Sequence, residues 1–194
     1  MRLKLLQAGE PVLRSPARLL AAEELADPKI MRLIDDMRET LQDAPGVGLA
    51  APQVGVPVQL AIVEDRPEYS KDITADQLAE RERLPIPFHV IINPVLEHIR
   101  DRQVEFFEGC LSVNGFTALV ARWREVRVRC LDESGHHCNI EATGWYARIL
   151  QHEIDHLQGT LYIDRMRTRS FCTLENFTRH WKARSIAAVI DQLK

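Results

Sequence analysis

The spacing of apolar residues along this chain changes several times, and each change marks an element. Ile30, Leu33, Ile34, Met37 and Leu41 recur at helical spacing. Asp27 and Pro28 stand ahead of them as an N-cap and a first helical residue. Asp43-Ala44-Pro45-Gly46 ends that helix. The runs VQLAIVE at 58–64 and FHVIINP at 88–94 read as strands. VEFFEGCLSV at 104–113 extends the pattern, and LVARWREVRVRCLD at 119–132 alternates around Val126, Val128 and Cys130. A turn at Glu133-Ser134-Gly135 joins that strand to HCNIEA, its hairpin partner. Thr143 is placed to cap a helix that runs to Leu157 or Gln158 and stops at Gly159. A last amphipathic helix starts at Leu174 and carries Phe177, Trp181, Ile186, Val189, Ile190 and Leu193. Residues 65–87 are charged and hold Pro67, Pro85 and Pro87, so they read as a surface excursion. The expected fold class is α+β: mostly antiparallel strands packed around a central helix, with N- and C-terminal helices, in a single domain over 1–194.

Composition narrows the function classes. The chain has 194 residues, 45% hydrophobic and 27% charged, which suits one soluble globular domain. A net charge of −3 argues against nucleic-acid or anionic-membrane binding by bulk charge. No apolar run approaches the roughly eighteen residues of a membrane span. The opening MRLKLLQAGEPVLR lacks the apolar core and small-residue cleavage site of a secretory signal. Cys110, Cys130, Cys138 and Cys172 do not make a disulfide framework for a chain of this size. A reduced, cytoplasmic protein is the expectation, or an organellar one if a transit peptide was removed.

The candidate chemistry lies in ILQHEIDHLQG, residues 149–159. His152 and His156 are one turn apart, so both rings can face one metal ion. Glu153 lies about 100° further round the helix and can act as a base without binding the metal. Trp145 and Ile149 continue the histidine stripe, so that face is apolar. Two hydrogen-bonded core histidines are the plainer explanation, although the motif arises by chance in only about one or two chains in a hundred. Two histidines do not complete a site. The downstream histidine of H-E-x-x-H-x-x-G-x-x-H is replaced by Tyr162, and Glu175 has a poor context. Cys110 in FFEGCLSV is a further candidate, against the simpler role of a small buried hydrophobe. In GVGLAAPQVG, residues 46–55, Gly46 and Gly48 flank Val47 and leave backbone groups open to an extended ligand. Gln53 there is a neutral amide donor suited to an oxyanion.

GVGLAAPQVG, EGCLSV and QHEIDHLQG, in that order, closely resemble the peptide deformylase family. The resemblance runs from QAGEPVLR through LYIDRM at 161–166. It implies a metal held by Cys110, His152 and His156, with a water completing the set, and Glu153 as general base and then acid. It implies an oxyanion hole from Gln53 and the Leu111 N–H, and pairing of the peptide with Gly46, Val47 and Gly48. It implies removal of the formyl group from the initiator methionine of nascent chains. The metal it favours is Fe(II), with Zn(II) or Ni(II) able to replace it in purified protein. Val47, Trp145 and Arg148, its stem packed inward, are expected to line the methionine pocket. Glu108 and Arg122 match an ion pair beneath the metal loop. V-N-G-F-T-A after the cysteine motif departs from many bacterial members. It looks like the branch of mitochondria, plant organelles and some bacteria, as does the 65–87 excursion. Arg165, Arg167, Arg169, Arg179, Lys182 and Arg184 make the C-terminal segment basic; a solvated face is the preferred reading, ribosome docking the alternative. Two competing functions are an endopeptidase, which lacks its downstream ligand here, and a binding module without catalysis, which Cys110, Glu153 and Gln53 argue against.

Overall fold

The computed structural model describes residues 1–193. In chain order its elements are α1 (Ala22–Leu25), α2 (Pro28–Asp43), β1 (Gly48–Ala50), β2 (Leu60–Asp65), α3 (Ala75–Arg81), β3 (Ile86–His98), β4 (Gln103–Cys110), β5 (Val113–Trp123), β6 (Glu125–Leu131), β7 (His137–Thr143), α4 (Gly144–Leu157), β8 (Cys172–Thr173), α5 (Leu174–His180) and α6 (Ile186–Gln192). Short 3₁₀ turns join several of them. The strands form a five-stranded sheet in the order β1-β2-β3-β6-β7 and a three-stranded sheet in the order β4-β5-β8. Every ladder is antiparallel.

The continuous apolar run of β2 is explained by burial on both faces. Ala61 and Val63 point to the side of α4, with Ile91, Val128, Ala147 and Leu150. Leu60 and Ile62 point to the other side, against Ile34, Met37 and Leu41 of α2. The larger sheet is thus a wall between two helices, and α4 is the buried one. A second layer is built by β4 and β5, whose outer face is covered by α5 and α6 through Phe107, Leu119, Phe177, Trp181 and Val189. α4 therefore lies between the two sheets, and a residue on β4 can meet a residue on α4.

Three expectations change in detail. The 65–87 excursion is not irregular throughout: it contains α3, whose Thr74 side chain accepts from Gln77 N while Gln77 answers at the Thr74 N–H. That capping box satisfies two otherwise open backbone donors. The single C-terminal helix is two, because the chain breaks over 181–185 and Ser185 caps the second. Thr143 occupies the N-cap position of α4 but makes no capping bond through its side chain. The Asp27 cap and Pro28 start of α2 are as expected. Gly159 holds φ +72°, and a Cβ there would lie 2.8 Å from the Arg14 carbonyl carbon, so only glycine ends α4 this way.

Candidate metal centre

Cys110, His152 and His156 come together. Their ligand atoms all lie within 4.8 Å of one another. His152 and His156 share a face of α4, with ring centroids 5.0 Å apart. Cys110 arrives from the other sheet. The β4–β5 register shifts between Gly109 and Cys110, where Cys110 pairs with Val113 across a tight turn. Such a bulge re-aims a side chain, here toward α4. Cys110 Sγ lies 3.2 Å from His156 Nε2. One soft thiolate and two imidazoles, converging in a largely buried place, fit a divalent transition metal.

The floor beneath these ligands is a network of buried charges paired with one another. His152 Nδ1 donates to Glu108 Oε2 at 2.9 Å, which turns its Nε2 toward Cys110. Glu108 also accepts from Arg122 Nε and Nη2, both at 2.9 Å, and from Arg148 Nη1 at 2.6 Å. Arg122 in turn donates to Asp155, which Arg165 holds bidentately. Burial alone would push the Glu108 carboxyl upward, yet His152 and Arg122 hold it well below the usual carboxylate range. The Glu108–Arg122 pair expected from the sequence is present as the centre of this larger network.

Glu153 sits on the cavity side. It is buried, and its Oε2 has no partner among the described residues. Burial pushes its carboxyl up to about 7. Gly48 makes room for it: a Cβ at that position would lie 2.4 Å from Glu153 Oε1. Gln53 is 2% exposed. Its Oε1 accepts from Ala50 N at 2.9 Å, so its Nε2 faces Ser112 Oγ at 3.1 Å and Cys110 Sγ at 3.6 Å. Leu111 follows Cys110 in the same turn, and its carbonyl is held by Gln7 Nε2 at 2.9 Å.

A cavity of about 670 Å³ opens over these groups. Gly46, Val47, Gly48, Leu111, Trp145 and Glu153 all line it. β1 is the last strand of its sheet, so one edge is open. Val47 O accepts from Glu64 N, so the alternate residues Gly46 and Gly48 turn their N–H and C=O groups toward the cavity side. Arg148 lines the cavity, and its guanidinium turns down into the floor, to Glu108, Val120 O at 2.9 Å and Val104 O at 2.7 Å. A buried guanidinium demands partners for its donors, and the floor supplies them where the pocket does not. Burial pulls its pKa down to about 10.

Sequence reasoning missed Ser112, Asp155, Gln7 and the part played by the excursion. Tyr69 and Arg83 line the cavity, Arg83 is anchored to Asp65 at 2.8 Å through two bonds, and Arg81 and Arg83 both lie over the Trp145 ring. Ser112 sits inside EGCLSV and was findable there. The others are long-range contacts with no local signal.

Residues 2–171 match the family model described as polypeptide deformylase. The chain is 46% identical over 89% of its length to the chloroplastic peptide deformylase 1A of Solanum lycopersicum, covering 62% of that protein. It is 45% identical over 92% of its length to peptide deformylase 1 of Bifidobacterium longum, covering 79% of that protein. It spans just under two thirds of the two plant organellar relatives, 62% and 64%. Among solved structures, the Met-Ala-Ser-bound class I type b peptide deformylase of Acinetobacter baumannii superimposes with TM-score 0.76, at 31% identity, over 86% of this chain and 99% of that one. The organellar and bacterial relatives agree with the branch suggested by V-N-G-F-T-A. With its motifs, fold and donor set in agreement, the chain belongs to the polypeptide deformylase family.

Proposed function

We propose that this chain removes the formyl group from the N-terminal methionine of nascent polypeptides by metal-dependent hydrolysis of the H-E-x-x-H type, releasing formate. The observation that carries this reading is the convergence of Cys110, His152 and His156 beside an unpartnered, buried Glu153. A divalent ion held by those three residues, Fe(II) by preference and Zn(II) or Ni(II) as substitutes, supplies Lewis acidity and a more acidic water. Glu153 takes the proton released as water attacks the formyl carbon, and returns it to the leaving amine. Its raised pKa suits both transfers. Gln53 Nε2, oriented by the Ala50 N–H that donates to the same side chain's Oε1, and the Leu111 N–H stabilise the oxyanion. Gly46 and Gly48 pair with the peptide backbone as an added strand. Val47, Trp145 and the Arg148 stem enclose the methionine side chain, and the excursion fixes the Trp145 ring through Arg81 and Arg83.

The acetyl group is excluded on this reading because the formyl carbon carries only hydrogen, and Gly48, Glu153 and Cys110 leave little room beside it. The A. baumannii structure bound to Met-Ala-Ser supports a methionyl peptide as ligand for this site. We place the activity where formylated chains are made, the bacterial cytoplasm or an organelle. Among the described residues no helix is long and apolar enough to cross a membrane. In the basic C-terminal segment, Arg165, Arg167 and Arg179 pair with Asp155, Glu105 and Glu175. Those pairs favour a structural face over a ribosome-docking one, and a salt-dependent ribosome pull-down of Lys182→Glu/Arg184→Glu against wild type tests that choice. The central test is formate release from formyl-Met-Ala-Ser by Fe(II)-loaded protein prepared without oxygen, beside Glu153→Ala. Turnover by wild type alone supports both the reaction and the base; none by either, with metal bound, sinks the reading.

A further inference from the structure

Two of the cysteines meet on the sheet face that α4 covers, away from the metal ligands. Cys130 of β6 stands directly opposite Cys138 of β7 in the antiparallel ladder. Opposite residues project from the same face, and both side chains belong to the core cluster that holds Ala147 and Leu150 of α4. Both thiols are free. The spacing of the pair follows from the ladder. Asp132 N donates to His136 O at 3.0 Å on one side of it, and Gly144 N to Arg124 O at 2.9 Å on the other. Bonded pairs recur at every second position, so Cys130 and Cys138 form one as well. Their Cα atoms then lie about 5.5 Å apart, inside the roughly 4.4–6.8 Å range of disulfides. The Cβ atoms of such a pair are about 5 Å apart and a bridge needs about 3.8 Å, so closing it draws the strands together by about 1 Å. β7 is the last strand of its sheet, and the pair lies next to the hairpin tip, so one strand has room to move. Cys138 Sγ faces His136 O at 3.8 Å, a weak contact that one rotamer change releases. The two thiols are unequal. Cys130 is 4% exposed, and burial pushes its thiol up to about 11. Cys138 is half-buried at the sheet edge, within reach of a small solute.

We propose that Cys130 and Cys138 form a thiol–disulfide exchange site that takes small-molecule disulfides of the glutathione type. Cys138 Sγ attacks one sulfur of the small disulfide, and the other sulfur leaves as a thiol with the proton that Cys138 gave up. Cys130 Sγ then attacks the Cys138 sulfur of the mixed disulfide, and the second half leaves with the Cys130 proton. Two electrons pass from the pair to the small disulfide, which ends as two thiols. The protein exchanges two S–H bonds for one S–S bond. The second attack is intramolecular, and proximity compensates for the small thiolate fraction of Cys130. Drawing the strands together strains the bridge, and a strained bridge is easily reduced. The pair therefore follows the thiol–disulfide balance around it. The exchange uses none of Cys110, His152 and His156, so it is independent of the proposed hydrolysis.

Peptide mapping reads the site directly. Zn(II)-loaded protein is incubated with oxidised glutathione without oxygen, quenched in acid, alkylated in denaturant and digested with trypsin. Cys130 and Cys138 share one tryptic peptide, 130–148, and Cys110 and Cys172 fall in others, so their reactions are read apart. The expected product is that peptide two hydrogens lighter and without alkyl groups. Reduced glutathione in about a hundredfold excess should return it to two alkylated thiols. In Cys130→Ala, Cys138 should keep one glutathione as a stable mixed disulfide. In Cys138→Ser, Cys130 should react about tenfold or more slowly than Cys138 does in Cys130→Ala. A wild-type peptide alkylated twice, or one that carries glutathione without closing the bridge, would overturn the proposal. A bridge that survives the excess of reduced glutathione would overturn it too, by making the pair a structural disulfide. Cys130 reacting as fast as Cys138 would overturn the order of attack. The wild-type result decides by itself if Cys130→Ala fails to fold.

Discussion

The floor and the mouth of the cleft lie within one cavity and are built by opposite rules. The floor is Glu108, Arg122, Arg148, Asp155 and His152, all largely buried, with charges matched in pairs and at short range. The mouth is two exposed, stacked phenyl rings, Phe116 and Phe171, and Leu174, with no polar partner to satisfy. A floor of that kind holds ligands in one geometry and tolerates little change. A mouth of that kind tolerates change, because replacing an exposed apolar side chain leaves no buried partner unpaired. The difference separates a part that must be kept whole from a part that can vary within one cavity.

The contrast can be attacked from its strongest point downward. Removing the metal with a chelator should abolish formate release, and adding back Fe(II) without oxygen should restore it; activity that survives full chelation would refute the metal reading. Glu153→Ala should lower kcat by about a thousandfold or more while metal content, measured by emission spectroscopy, stays near one ion per chain. Gln53→Ala should cost about a hundredfold to a thousandfold in kcat, the scale of one oxyanion donor, with KM for formyl-Met-Ala-Ser nearly unchanged. Arg148→Met keeps the stem but leaves Glu108 and two carbonyls short of a donor. It should lower stability by about 3–5 kcal/mol in urea unfolding, as a broken buried pair does. A loss near that of a surface substitution would show that Arg122 and His152 suffice. Phe171→Ser, at the mouth, should cost about 1 kcal/mol or less in the same assay. A larger loss would mean that the stacked pair is part of the core.

Much of the floor's outline was readable, and the reasons are specific. His152 and His156 stand four apart on a helix whose face is apolar, and period fixes their common direction. The helix itself was bounded by Gly159. Cys110 could be proposed only because three motifs occurred together, since its approach depends on a bulge and on which sheet faces α4. Local periodicity encodes neither. Arg148 shows the limit most clearly. Its place on α4 follows from helical spacing, and the residue lines the cavity. The direction of its guanidinium is set by Glu108, forty residues earlier, and by two carbonyls of β4 and β5. The helix α3 was a different kind of miss. Thr74-x-x-Gln77 is a capping signature in plain view, outweighed by the charge and prolines around it. The break near residue 181 was hidden by an apolar stripe that continues on both sides of it, because α5 and α6 press against the same sheet.

On the proposed reading, the open edge of β1 bears on how many different peptides the cleft can hold. There Gly46 and Gly48 would offer a peptide main-chain partners, and every protein start has the same main chain. On that reading, a clamp of that kind would accept many different beginnings on equal terms and leave selection to the side-chain pockets. Shortness also guards it. An edge three residues long is too brief to recruit another sheet, so it can stay uncovered without inviting aggregation.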